Sequence, residues 1–168
     1  MTVQGIGVDL VAISRLRRAV ERWQERFLHR VFTEGELRYC MSRRDPIPHL
    51  AARFAAKEAG LKALGTGLRL GVRWRELEVR RERGQAPRLH LSGASRTIAN
   101  GAETLLLSLT HEGDYAMAQA MLVTSEGATP TAPVQLDRTS RSREAEPPPG
   151  VRGRSPRSDK VSRSSRSS

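Results

Sequence analysis

Four charged residues, Arg53, Lys57, Glu58 and Lys62, stand on a stretch that leaves no face for water. Set on a helix at about 100° per residue, Leu50, Phe54, Leu61 and Leu64 form one apolar arc, and Ala52, Ala55, Ala56, Ala59 and Ala63 cover most of the remainder. Such a helix belongs inside a domain. Charge buried there is costly unless it is paired, bound to a metal ion or turned toward a charged ligand. A Glu58–Lys62 pair at i,i+4 accounts for two of the four and contributes about 0.2–0.5 kcal/mol. Lys57, in the middle of the large-residue arc, and Arg53 are left without a partner. The helix stops at Gly65-Thr66-Gly67, where glycines can cap its end or let backbone come close to a ligand.

Two further residues could take part in chemistry. Asp9 follows a short strand and precedes a helical pattern, where a carboxylate either caps backbone N–H groups or binds a metal ion. His111 sits near the end of a β-rich run. It is either hydrogen-bonded to backbone at a hairpin or, beside lysines and a carboxylate, a donor to phosphate.

The elements that would position these groups follow from periodicity. Val3–Val8 reads as a strand with Val3, Gly5, Gly7 and Asp9 on one face, a flat face against which something can pack closely. Ile13–Phe27 reads as an amphipathic helix, with Leu16, Val20, Trp23 and Phe27 as its apolar stripe. Arg15, Arg18, Arg22 and Arg26 form a basic row on another face, either solvated or suited to docking an acidic helix. Thr33 with Glu36 makes a capping box, with Phe32 and Leu37 as its hydrophobic staple, for a helix to about Ser42. Beyond Gly71, Trp74–Arg80 and Arg88–Leu91 read as strands about a turn at residues 82–87. Ser92 starts a short helix, and Thr104–Thr110 and Tyr115–Val123 make a hairpin through His111–Asp114. Paired strands and separate blocks of helix predict an α+β fold, with a mainly antiparallel sheet packed on the long central helix.

The 168 residues suffice for one domain, residues 1–124, and an appendage, residues 125–168, rich in Arg, Ser and Pro and read as disordered. Net charge is +11, of which roughly +4 falls after Thr124, so both portions are basic. That charge suits nucleic acid, an acidic protein or a polyphosphorylated small molecule. With only 4% aromatic residues, single-strand stacking platforms are poorly supplied. A basic nucleic-acid-binding module with an Arg/Ser tail is the alternative reading. Cys40 is the lone cysteine, which excludes an internal disulfide and a cysteine-based zinc site. No secretory leader pattern opens the chain and no apolar run is long enough for a bilayer, so a cytoplasmic location with no membrane partner is expected.

Four motifs in order resemble one family, the short, stand-alone holo-acyl-carrier-protein synthases, which are 4′-phosphopantetheinyl transferases. They are Gly5-Ile6-Gly7-Val8-Asp9-Leu10-Val11; Phe32-Thr33-Glu34; Arg53-Phe54-Ala55-Ala56-Lys57-Glu58-Ala59 with Lys62-Ala63-Leu64-Gly65-Thr66-Gly67; and Ser108-Leu109-Thr110-His111-Glu112 before Tyr115-Ala116. The match spans residues 3 to about 123. The resemblance implies Mg²⁺-dependent transfer of the phosphopantetheine arm of coenzyme A to a serine of apo-acyl carrier protein, with release of adenosine 3′,5′-bisphosphate, in fatty acid biosynthesis. It implies that Asp9 and Glu58 hold Mg²⁺, that Asp9, Glu58 and Lys62 are catalytic, and that Arg53, Lys57, Lys62 and His111 contact coenzyme A phosphates. Gly65, Thr66 and Pro87 would line the nucleotide pocket, and Arg15, Arg22 and Arg26 would receive the carrier protein. The serine proton would pass to Glu58 or to a metal-held water. Family members are homotrimers, so Asp9 and His111 can complete one site from different chains, which nothing in periodicity shows. Two features depart from the family: Gln85 stands where a glycine is usual before the proline of the nucleotide turn, and the tail lies outside its pattern.

Overall fold

The chain runs β1 (Thr2–Ala12), α1 (Ile13–Val31), α2 (Glu34–Met41), α3 (Pro46–Ala63), a 3-10 turn at Trp74–Glu76, β2 (Leu77–Arg80), β3 (Arg88–Leu91), α4 (Gly93–Ile98), β4 (Thr104–Glu112) and β5 (Tyr115–Thr124). This computed structural model describes residues 2–124 except Arg69, Arg83, Gly101 and Glu103. The expected disorder of residues 125–168 lies outside the described residues. The five strands form one antiparallel sheet in the order β1-β5-β4-β3-β2, so the fold is α+β as the strand pairing predicts. Among the described residues no helix is long and apolar enough to cross a membrane.

Helix α3 lies across one face of the sheet, and the contact is made by small residues on both sides. A Cβ on Gly5 would fall onto the Ala63 carbonyl, and one on Gly7 onto the Ala59 carbonyl and 2.7 Å from the Ala63 nitrogen. The flat face expected of β1 is therefore the seat of the central helix. Ala116, Ala118 and Ala120 of β5 and Leu105 and Leu107 of β4 complete the buried surface beneath it. The opposite face of the sheet leaves Ile6, Val8 and Leu10 of β1 at least half exposed, with Leu106 and Met117 exposed on neighbouring strands.

Several boundaries differ from expectation. β1 continues to Ala12, because Asp9 to Ala12 pair in register with Ala118 to Tyr115. Asp9 is therefore a strand residue, and Ala12 stands at the N-cap of α1 with no side-chain cap, which removes the capping role for Asp9. Helix α1 is broken at Gln24 (φ 42°, ψ −131°). Its buried residues fall in two groups, Ile13 and Leu16 before the break and Leu28 and Val31 after it, each with its own line onto the core. The arginine row is therefore not continuous: Arg26 lies beyond the break, and Trp23 is half exposed rather than part of a buried stripe. Trp74–Glu76 forms a 3-10 turn in place of the start of a strand. Ser92 precedes α4 without capping it, its hydroxyl donating instead to the Glu76 carbonyl at 3.4 Å. The capping box at Thr33 and Glu36 is present as expected, and Phe32 and Leu37 are both buried. Cys40 is buried, and desolvation pushes its thiol up to about 11, so it behaves as a core residue and not a nucleophile.

Candidate active site

Asp45 caps α3 by accepting from the Ile47 N–H at 3.1 Å, Pro46 takes the first turn, and Gly65 (φ 71°) follows the last residues in the left-handed conformation. Between those ends the helix sends its charges to three different places.

Lys57 goes inward. It is fully buried, with Nζ 2.8 Å from Glu36 Oε2 and donating to the carbonyls of Trp74 and Leu77. Three protons of the ammonium meet three acceptors, leaving none for a phosphate. Burial draws its pKa below 10.5, and the Glu36 carboxylate opposes that fall. Glu36 is equally buried and accepts from the N–H groups of Thr33 at 2.9 Å and Val79 at 3.0 Å. Lys57 as a coenzyme A contact is thus corrected: the residue ties α3 to α2 and β2. The capping box pointed to Glu36, but nothing in its spacing showed that the same carboxylate would pair with Lys57.

Glu58 and Lys62 face β1. Lys62 Nζ donates to Asp9 Oδ1 and to the Val8 carbonyl, each at 2.8 Å, so it reaches across to the strand instead of pairing with Glu58 along the helix. Asp9, Glu58 and Arg15 line one cleft of about 460 Å³, walled on its apolar side by Leu16, Phe27 and Phe54. The Glu58 carboxyl is half-buried. Desolvation, then repulsion from Asp9, raises its pKa above 4.5, while Lys62 and Arg15 pull it back. Two carboxylates that come from different elements to line one cleft make a donor set for a divalent cation. Among the described residues no cluster of three or more Asp, Glu, His or Cys is arranged for a metal. A pair of carboxylates is nevertheless the protein share that Mg²⁺ requires, since it keeps waters and takes substrate phosphates as its other ligands.

Arg53, Pro87 and His111 line a second cleft of about 300 Å³, with Tyr39, His49 and Arg81. Arg53 is buried, its guanidinium 4.0 Å from the Tyr39 ring centroid and its Nη1 donating to the His49 carbonyl at 3.4 Å. Its Nε is buried with no hydrogen-bond partner among the described residues. His49 and Tyr39 carried no sequence signal, because their place beside His111 is set by how α2 and α3 pack over the sheet.

A third, larger groove of about 650 Å³ runs between the second part of α1 and the 3-10 turn, lined by Trp23, Arg26, Arg30, Phe27, Phe54 and Trp74. Phe54 stacks on Trp74 at 5.1 Å between centroids. Arg22 lies over Trp23 at 4.9 Å, so the three arginines expected to act together are distributed: Arg15 at the carboxylate cleft, Arg22 on the exposed face, Arg26 at the aromatic groove. Gly65 and Thr66 belong to the turn after α3, where Thr66 Oγ1 donates to the Gly67 carbonyl, and neither lines these clefts.

A family model described as the 4′-phosphopantetheinyl transferase superfamily matches residues 5–120. The chain is 51% identical over 118 residues to a holo-[acyl-carrier-protein] synthase of Syntrophotalea carbinolica, covering 69% of this chain and 92% of that protein. It is 41% identical over 122 residues to one of Koribacter versatilis, covering 71% and 98%. Among solved structures it is similar to the holo-[acyl-carrier-protein] synthase of Neisseria meningitidis, with TM-score 0.65, 30% identity and coverage of 73% and 100%. It is also similar to the Helicobacter pylori synthase in complex with coenzyme A, with TM-score 0.63, 28% identity and coverage of 70% and 99%.

Proposed function

This chain belongs to the 4′-phosphopantetheinyl transferase superfamily, and we propose that its carboxylate cleft is where it transfers the 4′-phosphopantetheine arm of coenzyme A to a serine of an apo-acyl carrier protein. The serine oxygen forms a bond to the phosphorus that carries the pantetheine, the bond to the leaving adenosine 3′,5′-bisphosphate breaks, and the serine proton goes to a base. The observation that carries this assignment is the meeting of Asp9 from β1 and Glu58 from α3 in one cleft beside Lys62 and Arg15.

Asp9 and Glu58 are the residues that would hold Mg²⁺, which when bound offsets negative charge on the coenzyme A pyrophosphate. Lys62 Nζ, anchored on Asp9 Oδ1 and the Val8 carbonyl, fixes the orientation of the Asp9 carboxylate and adds positive charge where the leaving phosphate gains negative charge. Glu58 accepts the serine proton, a role suited to a carboxyl that desolvation makes more basic than an exposed one. The exposed Arg15 draws the acidic carrier toward the same cleft, and Arg22 and Arg26 extend that basic surface on either side of the break in α1.

The cleft with Arg53, Pro87 and His111 receives the nucleotide end of coenzyme A. The reading includes a homotrimer working in the cytoplasm. The assembly is supported by the apolar strip Ile6, Val8 and Leu10, which is too exposed for the face of a lone sheet. It also confines the activity to residues 1–124, with 125–168 an appendage. Incubation with coenzyme A, Mg²⁺ and apo-acyl carrier protein should add the mass of the phosphopantetheine arm to the carrier, and chelation should stop it. Unchanged intact mass across a panel of apo-carriers overturns the reading.

A further inference from the structure

Tyr39, His49 and His111 form a row in the second cleft, and the transfer chemistry gives His49 no role. His49 is half-buried on the first turns of α3, its ring edge-to-face with Tyr39 at 6.2 Å and 83° and with His111 at 5.1 Å and 88°. It is held between a ring of α2 and a ring of β4, so that any change at one imidazole is felt at the other. Charged and titratable groups face it from every side: Arg53 on its own helix, Tyr39 on α2, Arg43 and Asp45 in the turn between α2 and α3, and His111 on β4. Arg81, just beyond β2, lines the same cleft. Desolvation first, then the charges of His111, Arg43 and Arg53, push His49 below its ordinary 6.5, with Asp45 opposing. In the free chain His49 is therefore neutral at pH 7.

A dianion in the cleft would reverse that balance, because it brings two negative charges to a lining that holds Arg53 and Arg81 and no carboxylate. Arg53, whose buried Nε has no hydrogen-bond partner among the described residues, lines the same cleft. At about 300 Å³ the cleft has room for a phosphorylated ribose and not for a whole coenzyme A. The pyrophosphate belongs with Asp9 and Glu58, on the other flank of α3.

We propose that His49 gains a proton when a terminal phosphomonoester dianion enters this cleft, and that through its edge-to-face contact it positions His111 toward that phosphate. The inference rests on the reading above, in which the cleft takes the nucleotide end of coenzyme A. His49 is thus a positioning residue, and binding of the 3′-phosphate is coupled to uptake of a proton.

The sign follows from linkage. A proton taken up on binding makes affinity rise as pH falls, by up to about tenfold per pH unit, between the pKa of His49 in the free chain and its higher value in the complex. The probe is adenosine 3′,5′-bisphosphate, whose phosphomonoesters ionise a second time near about pH 6 and are dianions at pH 7. Titration calorimetry of the full chain at pH 7.0, in two buffers of different ionisation enthalpy, counts the protons. The wild type should take up protons on binding, and His49→Phe and His49→Gln should each remove more than half of that uptake and flatten the dependence of affinity on pH from 6.5 to 8. Coenzyme A should show the same uptake, and 3′-dephospho-coenzyme A should not. Equal uptake in the wild type and both variants, or uptake with the dephospho compound, overturns the inference while leaving the transferase reading intact. Failure of the wild type to bind either coenzyme A or the bisphosphate removes that reading and this inference with it.

Discussion

Replacing Lys57 by Met separates two accounts of the central helix. If Lys57 serves the core, the change leaves the Glu36 carboxylate fully buried with the Thr33 and Val79 N–H groups at 2.9 and 3.0 Å but without the ammonium at 2.8 Å. It also strips a donor from the Trp74 and Leu77 carbonyls. Breaking a fully buried pair by removing one partner costs about 3–5 kcal/mol. Domains of this size have about 5–15 kcal/mol in total, so Lys57→Met should lose roughly a fifth or more of its stability. Neutralising the second partner as well should recover much of the loss: the Glu36→Gln, Lys57→Met double variant should be more stable than the sum of the singles implies by about 2 kcal/mol. Urea unfolding followed by circular dichroism measures all four corners of that cycle. Steady-state kinetics on the folded variants should show KM for coenzyme A little changed. A Lys57→Met protein with the wild-type urea midpoint and a greatly raised KM would refute the reasoning, because Nζ would then be acting on substrate phosphate.

Gly7→Ala should destabilise the chain by about 1–3 kcal/mol or prevent folding, since the added methyl meets helix backbone that cannot move aside; an unchanged Tm would show that α3 does not sit on β1 as described. Glu58 must be ionised to hold a cation and its pKa is already raised, so the acid limb of kcat/KM should lie above the ordinary carboxylate range. Arg15→Ala removes one of the two cations that lower that pKa and should move the limb to higher pH, which a pH–rate profile reads directly; a shift to lower pH contradicts the assignment. Asp9→Ala and His111→Ala, each inactive alone, should regain turnover when co-expressed, approaching about a quarter of the wild-type sites if chains mix at random in a closed oligomer. No recovery in verified mixed oligomers would place both residues in a site within one chain.

Periodicity carried the architecture well because β1, α3 and the β4–β5 hairpin each have strong local patterns. The glycine face of β1 was legible as a docking surface before its partner was known, and α3 is that partner. The misreadings came where a tertiary contact overrides a local pattern. Lys57 belongs with Glu36, 21 positions earlier, and no spacing rule links a capping-box residue to a lysine on the next helix. The stripe on Ile13–Phe27 has regular helical spacing, yet the chain breaks at Gln24, a residue with no intrinsic preference for φ 42°. His49 reads as one polar residue near a proline turn, and its neighbour His111 lies on β4, far along the chain from it.

The angular arrangement of α3 explains why its charges divide as they do. Arg53 and Glu58 are five positions apart, about 140° around the helix, so they open onto opposite flanks: Glu58 toward β1 with Asp9, Arg53 toward β4 with His111. A coenzyme A whose pyrophosphate lies at the carboxylates cannot place its nucleotide against Arg53 of the same chain without passing around or through the packed helix. The small-residue contact of α3 with Gly5 and Gly7 leaves no passage beneath it. A second chain, as in the oligomer proposed above, would supply the missing half without any change in fold. The exposed Ile6, Val8 and Leu10 lie on β1, the strand that also carries Asp9, so an interface formed there would bring a neighbouring chain to the edge of the carboxylate cleft. On this geometry the proposed oligomer would be a condition of the chemistry and not only of stability.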